Sequence, residues 1–343
     1  MNNPTPHQLF VLLTDICALD CEFCFYKEIR KTDTIRVNKG HAKESLTHLI
    51  NGSAQVGLSG HGEPLNNIGG LIDILKLSSQ KRFDLTTSGS FPTKKLLKFI
   101  EEIETTCQTS NNECWVRLSL DTFHARAVHH DNFSNLISWF LQDGKWQKCR
   151  LYFRSITSEE EFVSDCFTNA CRQNNWDFRW ESKSQFAKVI TINEKPFEVI
   201  FRPIVKPVEL GLQDKYPIYE YLDMLSDTNG REFKLGFRKG DSLGGLDVTI
   251  NPDGNIYFYG AELSSLGCIY DEIVDYDLLT HRLDSNPIYT TIRNAPFKQI
   301  LFALAKEPRF KKCIEETNSP HWVIRTLNDI DSERLKQIIL SIK

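Results

Sequence analysis

The sequence has no apolar run of membrane-spanning length. The short run near its start, Leu9 to Leu13, breaks at Thr14-Asp15, before it could serve as the core of a signal peptide. No basic segment precedes that run. Charge of one sign is not in excess either: 41 Lys and Arg stand against 45 Asp and Glu, a formal charge of -4, which leaves no electrostatic footprint for nucleic acid or an anionic membrane. Repeats, low-complexity tracts and obvious flexible linkers are missing as well. What remains is a folded chain of 343 residues, long enough to bury a sizeable core, with peptides or small molecules as the expected substrates. Without a targeting segment it is expected in the cytoplasm, where thiols stay reduced, so its ten cysteines are not read as a disulfide framework. Seven of them are scattered and three are bunched: Cys17, Cys21 and Cys24.

Up to about residue 205, short β-type runs alternate with helical periodicity, the pattern of βα units and a parallel sheet. Strands are expected near 8–14, 55–59, 83–88, 115–121, 148–156 and 197–204, with helices over 39–51, 67–80, 92–105, 131–142 and 159–174. Six such strands make a partial barrel. Alternation along Trp115 to Asp121 puts Arg117, Ser119 and Asp121 on one side and Val116, Leu118 and Leu120 on the other. The same holds for Asp84, Thr86 and Ser88 on the third strand and for Arg150, Tyr152 and Arg154 on the fifth. The apolar side must meet the helices, so the polar side faces inward. A filled barrel would be dominated there by branched aliphatics, so a polar interior implies a bound polar ligand. Beyond about residue 205 the rhythm stops: Asp247 to Tyr259 reads as a hairpin turning at Pro252-Asp253-Gly254, and helices follow near 296–306 and 328–341. The expected fold class is α/β, a partial (β/α)6 barrel over 1–205 with a smaller α+β extension over 206–343.

Cys17-Ala-Leu-Asp-Cys21-Glu-Phe-Cys24 follows directly on the first strand, which places three thiols on one tight loop at the mouth of the barrel. Three thiolates can hold three irons of a four-iron cluster and leave the fourth open to a non-protein ligand, unlike the all-cysteine ligation of electron carriers. Two other readings stand beside this one. A zinc ion would need a further ligand such as His7 or His61, and three buried cysteines can simply be inert.

With the spacing Cys-x3-Cys-x-aromatic-Cys at the end of a first strand, the sequence resembles the radical S-adenosylmethionine (SAM) superfamily, and the resemblance extends across the barrel. It implies one [4Fe-4S] cluster on Cys17, Cys21 and Cys24, SAM as the second cofactor, and Phe23 beside the SAM adenine. Gly57-Leu-Ser-Gly-His-Gly-Glu-Pro64, ending the second strand, resembles the family's Gly-Gly-Glu-Pro element with His61 in the first glycine position. There the resemblance makes Gly62 the point of close backbone approach and Glu63 the partner of the SAM ammonium. Thr86-Thr87-Ser88-Gly89 resembles a Thr-Asn-Gly segment with serine in place of asparagine, and Ser119-Leu-Asp121 resembles a Ser-x-Asp pattern. Ser88, Ser119 and Asp121 thereby join the expected cofactor-binding set, Ser119 toward the SAM ribose or carboxylate. Arg154, inward near the end of the fifth strand, is the candidate for the SAM carboxylate, because a planar guanidinium matches a carboxylate bidentately. The alternative is an internal salt bridge of Asp121 with Arg154 or Arg117. His124, at the mouth of the fourth strand, is the candidate catalytic residue, touching substrate or acting as acid or base.

The hairpin Asn251 to Tyr259, followed by Leu266-Gly-Cys-Ile269, resembles the start of the SPASM/Twitch extensions that follow many radical SAM barrels. A cysteine that normally ligates an auxiliary cluster is missing near Tyr259, and Cys268 and Cys313 are too few to replace it, so a Twitch-like scaffold without that cluster is expected. The resemblance implies an enzyme that takes an electron from a reductant such as flavodoxin or ferredoxin and cleaves SAM to methionine and a 5'-deoxyadenosyl radical. The radical abstracts hydrogen from a peptide or natural-product-type substrate. Oxidation, epimerisation, crosslinking and rearrangement share these motifs. No leader-peptide recognition domain is expected before Cys17, where the segment is short, and without a corrinoid-binding pattern cobalamin-dependent methylation is not expected. The rival from another class is a non-catalytic protein in which the three cysteines hold zinc or a structural cluster.

Overall fold

A computed structural model describes residues 7–19, 21, 24, 26, 31–125, 132–202, 217–226, 232–236, 245–317 and 319–342. The strands in chain order are β1 (His7–Leu12), β2 (Ser53–Ser59), β3 (Arg82–Thr87), β4 (Glu113–Ser119), β5 (Cys149–Ile156), β6 (Phe178–Ser184), β7 (Ala187–Ile192), β8 (Lys195–Arg202), β9 (Asp247–Ile250), β10 (Asn255–Phe258) and β11 (Gly267–Cys268). The helices are α1 (Ala42–Gly52), α2 (Ile68–Leu75), α3 (Thr93–Ser110), α4 (Thr122–Ala125), α5 (Asn132–Phe140), α6 (Glu160–Asn174), α7 (Ile218–Leu225), α8 (Tyr276–Asp284), α9 (Pro287–Asn294), α10 (Phe297–Leu304), α11 (Pro308–Glu316) and α12 (Pro320–Leu340). The protein is mixed α/β and divides into two compact units, one of residues 12–35 and 56–204, the other of 1–11, 36–55 and 205–343.

In the first unit β2, β3, β4, β5 and β8 run parallel side by side, and β7 and β6 extend β8 by antiparallel pairing. Register follows the two-residue period of the side chains. Asp84 is level with Trp115 and Arg150, Thr86 with Arg117 and Tyr152, and Ser119 with Arg154, all on one face. The opposite face carries Leu85, Val116, Leu151, Phe153 and Val199, each at most 5% exposed, so the expected division into a polar and an apolar side is what the sheet displays. Phe133 and Phe167 meet Phe153 edge-on from α5 and α6, at centroid distances of 5.4 and 5.0 Å. Burying each such side chain contributes about 1.5–3 kcal/mol, which is why the helices lie on this face. Helix α3 has sharp ends: Pro92, at φ -52°, stands just before its first turn, and Asn111, left-handed at φ +56°, closes it through its N–H on the Cys107 and Gln108 carbonyls.

One stretch differs from expectation. After α6 the sequence pattern suggested a single strand, and the structure has three. The β7–β8 turn is made by Asn193 and Glu194, both left-handed (φ +45° and +70°), the geometry of a two-residue hairpin loop. Glutamate in the position where glycine normally advertises such a turn hides it from a reading of residue types.

The second unit pairs β1 with β9 in parallel, and β9 turns back into β10 and then β11. The expected hairpin is present, with Asn251 and Gly254 closing its turn by an N–H to carbonyl bond of 2.8 Å. Gly254 sits at φ +91°, and a Cβ there would come within 2.4 Å of the Tyr270 ring. Tyr259 is stacked on Phe10 at 4.3 Å, a packing position. Cys268 lies on β11 and Cys313 on α11, both half-buried. Among the described residues no helix is long and apolar enough to cross a membrane.

Candidate functional site

The chain leaving β1 is held on three sides before it reaches the cysteines. Its own return fastens it through Asp15 N–H to the Asp33 carbonyl (2.9 Å) and Ile35 N–H to the Leu13 carbonyl (3.0 Å). The loop after β2 grips it through Gly62 N–H to the Thr14 carbonyl (2.8 Å) and Glu63 N–H to the Ile16 carbonyl (2.9 Å). Asn67 donates its amide to the Leu13 and Ile35 carbonyls (3.1 and 3.0 Å). The approach is so close that a Cβ on Gly62 would lie 2.2 Å from the Ile16 carbonyl oxygen. Glycine is therefore required here by backbone meeting backbone at the foot of the cysteine loop.

Cys17, Cys21 and Cys24 are each half-buried and line one cavity of about 130 Å³, together with His61, Glu63, Ser88, Ser119 and His124. Leu19 N–H reaches the Cys17 sulfur at 3.4 Å, and Cys24 N–H bonds the Cys21 carbonyl at 3.0 Å. Among the described residues no three His, Cys, Asp or Glu side chains converge on a single metal-ion position. Phe23 lies outside the described residues.

Two histidine–aspartate pairs flank this cavity. His61 Nδ1 is 2.8 Å from Asp15 Oδ1, both side chains are buried, and the ring stacks on Tyr26 at 4.2 Å. A carboxylate can only accept, so Nδ1 carries the hydrogen. Asp15 and Tyr26 stand just outside the first and last cysteine, so one imidazole secures both ends of the motif. His124 Nδ1 is 2.6 Å from Asp121 Oδ2, Asp121 Oδ1 accepts the His124 N–H at 2.9 Å, and Cys21 is a further hydrogen-bond partner of the ring. Burial alone would lower the pKa of His124; the hydrogen bonds and charges of Asp121 and Cys21 outweigh it and raise the value to about 10.

The expected site residues thus separate by what they touch. Gly62, Glu63, Ser88, Ser119 and His124 are brought to the cysteine cavity. Asp121 lines a second cavity of about 360 Å³ between the end of β4 and helices α5 and α6, which shares Ser88 and Ser119 with the first. Its carboxylate is taken up by His124, which answers the question of an arginine salt bridge at that residue. Arg154 is exposed on β5, level with Ser119, and lines neither cavity. Glu63 is 3% exposed and accepts four hydrogen bonds: from Thr87 Oγ1 (2.7 Å) and Leu65 N–H (3.2 Å) on Oε1, and from Ser88 N–H (2.8 Å) and Ser88 Oγ (2.6 Å) on Oε2. It ties the loops after β2 and β3 together. Glu63→Gln keeps the shape, but its NH2 faces either the Ser88 N–H or, flipped, the Leu65 N–H, and stranding a buried donor either way is expected to cost about 1–3 kcal/mol in a urea titration. Wild-type stability in this variant would show that the carboxylate is not the tie.

Residue types did not disclose Asn169 and Gln173, which line the larger cavity from α6, because polar positions on a helix read as its solvent face. Nor did they disclose the Asp15–His61 pair, whose partners are 46 positions apart. The chain matches no known family model, and no curated protein matches it significantly.

Proposed function

We propose that this protein is a radical SAM enzyme, with a partial (β/α)6 barrel over residues 1–205 whose cysteine loop holds one [4Fe-4S] cluster. The observation that carries the reading is the arrangement of Cys17, Cys21 and Cys24 around one cavity that also receives the Gly62-Glu63 loop, Ser88 and Ser119 from three successive parallel strands. The donor set suits a cluster. Three thiols on one loop lining one cavity are the donors such a cluster takes, each thiolate on a different iron. When bound, the cluster supplies the electron that cleaves SAM to methionine and the 5'-deoxyadenosyl radical that abstracts hydrogen from substrate.

The protein's own contribution is positioning. Backbone bonds from Gly62 and Glu63 hold the foot of the cysteine loop. Ser119, between the two cavities, offers a hydroxyl to the ribose or carboxylate of SAM. Arg154, level with Ser119 on the same face but lining neither cavity, is the guanidinium assigned to that carboxylate, which then has to reach past Ser119 toward β5. Glu63 acts through the loops it joins, and His124, oriented by Asp121, borders the cysteine cavity where substrate would approach. A flavodoxin- or ferredoxin-type reductant, a cytoplasmic setting and a peptide or natural-product-type substrate complete the proposal.

Anaerobic reconstitution with iron and sulfide is expected to give a brown protein with about four irons per chain. With SAM and dithionite that protein should form 5'-deoxyadenosine. Two half-buried cysteines, Cys268 and Cys313, are too few for a second cluster of the usual kind. A zinc-loaded, colourless protein that forms no 5'-deoxyadenosine would overturn the proposal in favour of a non-catalytic metal-binding role.

A further inference from the structure

On the polar face of the first unit one arginine has no acid paired with it among the described residues. Arg117, half-buried on β4, donates from Nη2 to Thr86 Oγ1, while its Nε is buried without a hydrogen-bond partner, and among the described residues no carboxylate forms an ion pair with it. The nearby acid Asp84 pairs with Arg82 at 2.9 Å, and the Arg82 guanidinium lies 3.6 Å over the Trp115 ring. Tyr152, level with Arg117 across the β4–β5 pairing, is 8% exposed. Burial holds its pKa up against the pull of Arg117 and Arg154, so the phenol remains a donor. A half-buried guanidinium whose Nε has no partner favours an anion that would meet it.

We propose that Arg117, with Thr86 and Tyr152, forms a subsite for a carboxylate or phosphate group of the substrate. Ser119 is two residues further along the same face, about 6.6–6.8 Å away at the rise of a strand, and lines the cysteine cavity. A substrate anchored at Arg117 therefore presents a carbon one pleat away to the place where the proposed radical arises. Placing that group in a substrate rests on the radical SAM reading; the anion subsite itself does not.

The test is isothermal titration of the full-length, iron-free protein with inorganic phosphate and, separately, with glutarate, for wild type, Arg117→Gln and Arg117→Lys. Wild type is expected to bind one of the two saturably, and which one identifies the group. Arg117→Gln should weaken that binding about ten- to a hundredfold. Arg117→Lys, which keeps the charge but loses the planar fork, should fall between. If Arg117→Gln does not fold, Arg117→Lys decides: affinity equal to wild type overturns the subsite. It is equally overturned if neither anion binds wild type or if Arg117→Gln binds as tightly. Because no iron or SAM is present, the two claims fail separately. A chain that binds anion but never forms 5'-deoxyadenosine refutes the radical reading alone, and one that forms it but binds neither anion refutes the subsite alone.

Discussion

Replacing any one of Cys17, Cys21 and Cys24 by Ala is expected to reduce reconstituted iron and 5'-deoxyadenosine formation to background, with the fold intact. The three thiols are half-buried on a loop whose foot is fastened by bonds from the backbone of Leu13 to Ile16 and from Asn67, while the sulfurs add weaker contacts such as Leu19 N–H to Cys17 (3.4 Å). Stability should consequently move by no more than about 1 kcal/mol. Each of the three thiolates is the one protein ligand of its iron, so the effect on iron is not expected to be graded across the three positions. Retention of both iron and SAM cleavage in any one variant would sink the proposal. A loss of iron accompanied by global unfolding would mean that the loop is structural and that its chemistry must be sought elsewhere.

Gly62→Ala should be the most damaging change outside the cysteines. Its Cβ would fall 2.2 Å from the Ile16 oxygen and 2.7 Å from the Asp15 carbonyl carbon, and both are backbone atoms that cannot swing aside as a side chain does. The chain must separate there, weakening the Gly62–Thr14 and Glu63–Ile16 bonds and moving the foot of the cysteine loop. The forced shift costs about 1–3 kcal/mol, and reconstituted iron should drop to a small fraction of wild type. Since alanine adds no charge and removes no polar group, the two readouts must fall together. Normal iron content with normal stability would show that the two loops are not in register as described.

Several of these features are legible in the sequence alone. Two-residue alternation on β4 and β5 separated Arg117 and Ser119 from Val116 and Leu118 because a strand has only two faces and the apolar one must be covered. The turn at Pro252-Asp253-Gly254 could be read because one residue there must take φ +91°, which glycine accepts. The bunching of three cysteines marked its loop for the same kind of local reason. Tertiary structure alone decided what the polar groups bind. Glu63 spends its carboxylate on Thr87 and Ser88, Asp121 on His124, and Asp15 on His61. A carboxylate takes whichever donors the meeting of separate loops brings within about 3 Å, and residue type does not encode that meeting. The β7–β8 turn escaped for a related reason: Asn193 and Glu194 are held left-handed by the strands they join, not by a preference of glutamate for that conformation.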